Sequence, residues 1–204
     1  MNALEYIQEK FSLDLSARTP IEFRLSRHGG LTTLWRELGY KVGAEIGTEQ
    51  GKFSEEICCA NPEVKLYCVD PWQAYDRYAD HVSQSKLDGF YAEAVERMKR
   101  YNCEIIRKAS TEAVGDFAEC SLDFVFIDGN HHFDFVVRDI IEWSRKVRQG
   151  GMVSGHDYRQ EGKEKKPIPF HVIQATNAYT DAYKIRPWFV MRGDKCASWM
   201  WIKP

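Results

Sequence analysis

The chain has 204 residues with a formal net charge of −2, 44% apolar and 13% aromatic. That is enough apolar material for a folded domain with a real core, and it excludes a disordered chain. The near-neutral charge gives no electrostatic basis for nucleic-acid or membrane-surface partners, and no apolar run approaches the roughly 20 residues that span a bilayer.

In chain order the first expected element is a helix over residues 3–18. Gly29-Gly30 then breaks the chain before a second short helix, 31–38. The segment MNALEYIQEKFSLDL carries acidic residues and no apolar core, so no secretory leader is expected and a cytoplasmic location is. Five short apolar runs follow: VGAEI (42–46), KLYCVD (65–70), CEIIRKA (103–109), LDFVFID (122–128) and GMVSGHD (151–157). Each is apolar on both faces and rich in β-branched or aromatic residues, the pattern of buried parallel strands.

Helical spacing occupies the intervals 54–60, 87–101 and 133–147. The last of these puts Val136, Ile140, Trp143 and Val147 on one face and stops before Gln149-Gly150-Gly151. A further helix over 170–183 leads to two final strands, 188–192 and 197–203, joined through a GDKC turn that reads as a hairpin. Strands alternating with helices at this interval predict an α/β, doubly wound, mostly parallel sheet in a single domain, with an N-terminal helical segment over 1–39 and the core over 40–204. The six cysteines form no CxxC pair and read as reduced thiols packed as small hydrophobes. EGKEKKP, 161–167, reads as a solvated loop.

Ligands of an open parallel sheet bind outside the carboxyl ends of the strands, so the residues there are the ones to inspect. Four of the five runs end in, or close to, an acidic residue: Glu45, Asp70, Asp128 and Asp157. After the first run, Glu45-Ile46-Gly47-Thr48-Glu49-Gln50-Gly51 opens a helix, and its glycines permit positive φ and close approach of the backbone to a ligand. The turn lacks the G-x-G-x-x-G of dinucleotide binders, because Glu49 stands at the second glycine and would repel a pyrophosphate. S-adenosylmethionine has no phosphate and escapes that objection.

Asp70 falls about 20 residues beyond the glycine turn, where a carboxylate can accept both ribose hydroxyls; a cap before Pro71 is the plainer role. Trp72 could lie beside the sugar or adenine, or simply pack. Ser110, just past the third run, could reach the adenine edge, and it reads equally well as a helix N-cap.

The stretch SLDFVFIDGNHHFDFVVRDIIEWSRKVRQGGMVSGHDY, 121–158, is the most specific, and it looks like the pattern IDGxHxY…D…W…GGxxxxHDY, with Phe133 at the tyrosine position. It resembles a class I S-adenosylmethionine-dependent methyltransferase family that includes macrocin O-methyltransferase-like enzymes. It is similar, more loosely, to catechol O-methyltransferase-type enzymes. With AEIGTEQG, VDPW and KAST the resemblance covers residues 40–160.

The resemblance implies a seven-stranded Rossmann-like sheet with a C-terminal antiparallel hairpin. It implies that Glu45, Gly47 and Gly51 shape the methionyl pocket, that Asp70 binds the ribose and that Ser110 touches the adenine; Thr48, Trp72 and Asp128 are further candidates for the cofactor site. Metal-dependent relatives hold magnesium at positions matching Asp128, His156 and Asp157. His156 stands where they have a carboxylate, which suits zinc, iron or manganese better and puts both magnesium and metal dependence in question.

His131 and His132 follow Asp128 at the mouth of the site. The resemblance singles out His131 as the base that deprotonates an acceptor hydroxyl, with Asp128 beside it; the plainer role is a helix cap or a partner for Asp128. The segment 71–91 carries Trp72, Tyr75, Tyr78, Phe90 and Tyr91 and reads either as a lid or as a surface helix. The expectation is an O-methyltransferase acting on a small hydroxylated molecule or sugar, with S-adenosylmethionine as cofactor, a divalent metal as a second candidate, and a homodimer as an admissible assembly. The competing classes are a nicotinamide oxidoreductase and a non-catalytic cofactor-binding domain of the same fold.

Overall fold

A computed structural model describes residues 2–75, 83–159 and 170–204. Helix α1, Ala3–Phe11, opens on a capping box in which Asn2 and Glu5 each accept the other's backbone N–H at 2.9 Å. It is shorter than its sequence pattern suggests because Ser12 turns left-handed, at φ 53°, and ends it. The chain then forms β1, Ile21–Phe23, which the sequence reading passed over, and a kinked turn Arg27–Leu31 with Gly29 at φ 72°. Next come α2 (Thr32–Glu37), β2 (Val42–Ile46), α3 (Lys52–Ala60), β3 (Lys65–Val69), α4 (Gln84–Met98), β4 (Cys103–Ile106) and the short α5 (Ser110–Ala113). They are followed by β5 (Leu122–Ile127), α6 (Phe133–Lys146), β6 (Val147–Gly155), α7 (Val172–Ala182), β7 (Phe189–Met191) and β8 (Ser198–Ile202).

These strands form one sheet of eight, in the order β1-β7-β8-β6-β5-β2-β3-β4. Every pairing is parallel except those of β8, which runs antiparallel to both β6 and β7. The architecture is the doubly wound one with its C-terminal antiparallel pair. Among the described residues the count is eight strands and not seven, because β1 adds to the edge beside β7. So short a strand carries too little alternation to be read from its own residues. β6 likewise starts earlier than expected. Val147 already pairs with Leu122, and a register shift across the Gly150-Gly151 stretch separates that pair from the ladder that resumes at Phe124 and Met152.

Side chains alternate along each central strand and feed two cores. Ala44, Val125, Ile127, Val153 and Trp199 face α6 and α7, where Val136, Ile140, Trp143 and Val172 meet them. Phe124, Phe126, Leu66, Met152 and Met200 face the other way, against Ile7, Leu34, Trp35, Phe53 and Ile57. Trp35 stacks on Phe124 with centroids 4.1 Å apart, and the Cβ of any residue at Gly43 would sit 2.1 Å from that phenylalanine ring. Sequence order reverses between β2 and β5, so the carboxyl ends of those two strands open a crevice. All six cysteines are unbridged; Cys59 and Cys120 are exposed and not part of the core. Among the described residues no helix is long and apolar enough to cross a membrane.

Candidate active site

A cavity of about 510 Å³ lies at the carboxyl ends of β2, β3, β4 and β5. Its wall includes Gly47, Glu49, Asp70, Tyr75, Ser110, Asp128, Asn130, His131 and Asp139. The strand ladder sets this convergence: the Asp128 N–H donates to Ile46 O at 2.7 Å, and the Gly47 N–H to Val69 O at 2.9 Å. Gly47 sits at φ 92°, and a Cβ there would meet the Asp128 carbonyl at 2.1 Å. Only glycine lets the first turn come this close to β5.

The turn is braced from the next strand. The Glu49 N–H donates to Asp70 Oδ2 at 3.0 Å, the Trp72 N–H donates to Asp70 Oδ1 at 2.8 Å, and the Trp72 indole N–H donates to Glu49 O at 2.7 Å. Burial raises the Asp70 carboxyl above its usual range against the pull of those two N–H donors. Asp70 is thus on the cavity wall, where the sequence places it, with one lone pair of each oxygen already engaged.

Trp72 is different: it is 1% exposed, packs with Leu87, Phe90 and Ala94, and does not line the cavity. It supports the turn from behind, and its indole is not on the cavity wall. Thr48 and Gly51 are also buried behind the wall, Gly51 as the left-handed N-cap of α3. Glu45, 2% exposed, accepts the Ser54 hydroxyl beneath the turn, and burial pushes its carboxyl up to about 8.

At the far end of the cavity the Ser110 hydroxyl donates to Asp139 Oδ1 and accepts the Trp143 indole N–H at 2.8 Å. Ser110 caps no helix with its side chain. Asp139 was not singled out from the sequence, although it shares the inward face of α6 with Val136, Ile140 and Trp143, and a carboxylate on an apolar face is itself a signal. Burial pushes its carboxyl up to about 7.

Of the 71–91 segment, Tyr75 reaches the cavity and accepts a hydrogen bond from Asn130 Nδ2 at 3.1 Å, while Phe90 and Tyr91 belong to α4. Tyr78 lies outside the described residues, as does the EGKEKKP loop.

The third component is a charge cluster where β5 and β6 end. His131 Nε2 lies 2.8 Å from Asp157 Oδ2 and 4.0 Å from Asp128 Oδ1. His156 Nδ1 lies 3.6 Å from both Asp128 and Asp157. Burial alone would lower both imidazoles, but the two carboxylates outweigh it and push each up to about 9. The same contacts overcome burial in the other direction and hold both aspartates well below the usual carboxylate range. Neither ring nitrogen of His131 makes an aligned hydrogen bond among the described residues, so its contact with Asp157 is an ion pair set off the N–H axis. His131 caps no helix; that position before α6 falls to His132.

The trio read as metal ligands, Asp128, His156 and Asp157, is brought together, with His156 Nδ1 3.6 Å from each carboxylate. Potential ligand atoms lie within 4.8 Å of one another in the groups Asp128-His131-Asp157 and His156-Asp157-Cys196. Both carboxylates are also already paired with guanidinium groups, Asp128 with Arg27 at 2.8 Å and Asp157 with Arg159 at 3.5 Å, and the Cys196 thiol donates to Asp157 at 3.0 Å. Magnesium takes oxygen ligands, whereas each converging group includes an imidazole and one of them a thiol as well, so these residues do not fit magnesium.

The sheet order, the glycine turn and the strand-end carboxylates define a class I methyltransferase fold. Residues 44–158 match the family model described as "Methyltransferase domain", over half of the chain, and the chain belongs to that S-adenosylmethionine-dependent methyltransferase family. An O-methyltransferase from Bacillus cereus, solved in complex with SAH, superposes with a TM-score of 0.59 at 15% identity, covering 98% of this chain and 89% of that one. The cofactor-bound Rv0187 from MTB gives a TM-score of 0.60 at 14% identity, with 98% and 88% covered. NodS, an N-methyltransferase from Bradyrhizobium japonicum, gives 0.51 at 14% identity, with 81% and 86% covered. The fold thus accommodates transfer to oxygen and to nitrogen. The protein named "Uncharacterized protein y4gI" of Sinorhizobium fredii is 28% identical over 124 residues, 55% of this chain; the chain spans only 12% of the length of that relative.

Proposed function

We propose that this methyltransferase binds S-adenosylmethionine in the 510 Å³ cavity and transfers its methyl group to a hydroxyl of a small molecule. The observation that carries the reading is the position of His131, which lines the cavity with neither nitrogen in an aligned hydrogen bond and with two carboxylates behind it. The cofactor would lie along Gly47, Asp70 and Ser110, its ribose sharing the remaining lone pairs of Asp70. The acceptor would enter beside His131, Asn130 and Tyr75.

Methyl transfer from a sulfonium is an in-line displacement: the acceptor oxygen bonds to the methyl carbon as the carbon–sulfur bond breaks. Alignment and exclusion of water can supply on the order of 7–11 kcal/mol of the barrier. In its neutral form, whose share grows as pH rises toward about 9, His131 takes the hydroxyl proton, and Asp128 and Asp157 stabilise the imidazolium that results. The reading assigns no step to a metal.

Calorimetry of the purified chain with S-adenosylhomocysteine tests the reading. Saturable one-to-one binding, weakened by Asp70→Ala, is expected; no heat of binding with the unmutated chain at millimolar ligand would sink it.

A further inference from the structure

The mixed ion cluster holds a cation that comes from a distant part of the chain. Arg27 belongs to the kinked turn before α2, yet its Nη1 lies 2.8 Å from Asp128 Oδ2 at the end of β5. The fold holds it there by three separate means. Asp194, in the turn between β7 and β8, accepts the Ser26 hydroxyl and the Arg27 backbone N–H, each at 2.6 Å. Gly193 packs so tightly beneath this turn that a Cβ would stand 2.1 Å from Ser26 N. The guanidinium carbon is 5.1 Å from the Phe53 ring centroid, a cation–π distance.

Each carboxylate already has a guanidinium partner, Arg27 for Asp128 and Arg159 for Asp157. A dication entering at Asp128 would have to expel a partly buried guanidinium, one of the side chains that cannot lose its charge at any accessible pH. We propose that Arg27 is the resident cation of this site, held by the Asp194 turn at the position on Asp128 that a divalent metal would otherwise take. Arg27 is therefore a positioning residue: it neutralises and orients Asp128, which in turn faces His131 and His156.

Electron paramagnetic resonance of Mn²⁺ with the full chain tests this. The unmutated protein is expected to leave the free-ion spectrum unchanged at millimolar Mn²⁺. Arg27→Met is expected to bind Mn²⁺ at least about tenfold more tightly, because Asp128 then lacks its partner. Should that variant fail to fold, Asp194→Asn loosens the anchor from outside the cluster and is expected to shift affinity the same way. Tight Mn²⁺ binding by the unmutated protein, or no gain in the variants, overturns the proposal. The inference depends on the methyl-transfer reading only for what the site is used for. A chain that bound no S-adenosylhomocysteine yet behaved as described toward Mn²⁺ would remove that reading and leave Arg27 in place.

Discussion

Asp70 accepts the backbone N–H of Glu49 at 3.0 Å, across the gap between the first turn and the end of β3. Glu49 sits at φ 50°, a left-handed conformation that costs a side-chain-bearing residue of order 1 kcal/mol or more, so the bond holds a strained turn in place. Asparagine at position 70 offers one acceptor oxygen for two N–H donors. Asp70→Asn is therefore expected to lower stability by about 1–3 kcal/mol and to weaken S-adenosylhomocysteine binding at the same time. Urea unfolding alongside calorimetry checks this; a loss of affinity with unchanged stability would mean that Asp70 serves only the ligand.

Glu45 is protonated in the folded protein up to about 8, against 4.5 for the free side chain. Between those values the unfolded chain has released the proton and the folded chain has not, so stability falls as pH rises through the window. Below 4.5 the contribution is fully present, and above about 8 it is lost. Glu45→Gln is expected to flatten this part of the stability–pH curve, a difference on the order of a few kcal/mol between pH 5 and 8.5. Equal pH slopes for the two proteins in denaturant titrations would show that Glu45 ionises normally.

The elements that carry the fold were legible because their signals are local. The five buried strands and the inward stripe of α6 each announce themselves within a window of about ten residues. β1 was not legible, since three residues have no period and its reason for being extended is β7, at the other end of the chain. The site divides the same way. Gly47, Asp70, Ser110, Asp128 and His131 follow strand ends and all reach the cavity wall. Trp72 also follows a strand end, but the left-handed turn at that residue, φ 42°, sends the indole into the core. Arg27 has no strand-end position at all, and its role exists only through the contact of Ser26 and Arg27 with Asp194.

Removing the base should separate binding from chemistry. His131→Ala is expected to reduce methyl transfer by about 10²–10⁴-fold while S-adenosylhomocysteine still binds, since His131 faces the acceptor side. Turnover can be followed as S-adenosylhomocysteine release once an accepting hydroxyl compound is found by screening. Full activity in this variant would move the proton to another group.

Gly47→Ala forces a Cβ to within 2.1 Å of the Asp128 carbonyl, which is backbone and has nowhere to retreat. The expected loss is at least about 2–4 kcal/mol, and the surviving folded protein should bind cofactor poorly because β2 and β5 have been pushed apart. A variant with an unchanged thermal midpoint would show that the turn is looser than drawn.

The pairing of β1 with β7 also sets an order of events. As the chain leaves the ribosome, β1 emerges near the start but its only sheet neighbour is among the final segments to appear. The same delay applies to Arg27, whose anchor Asp194 lies in the turn that follows β7. The guanidinium that faces Asp128 is thus fixed by the two ends of the chain at once, Ser26 and Arg27 on one side and Asp194 on the other.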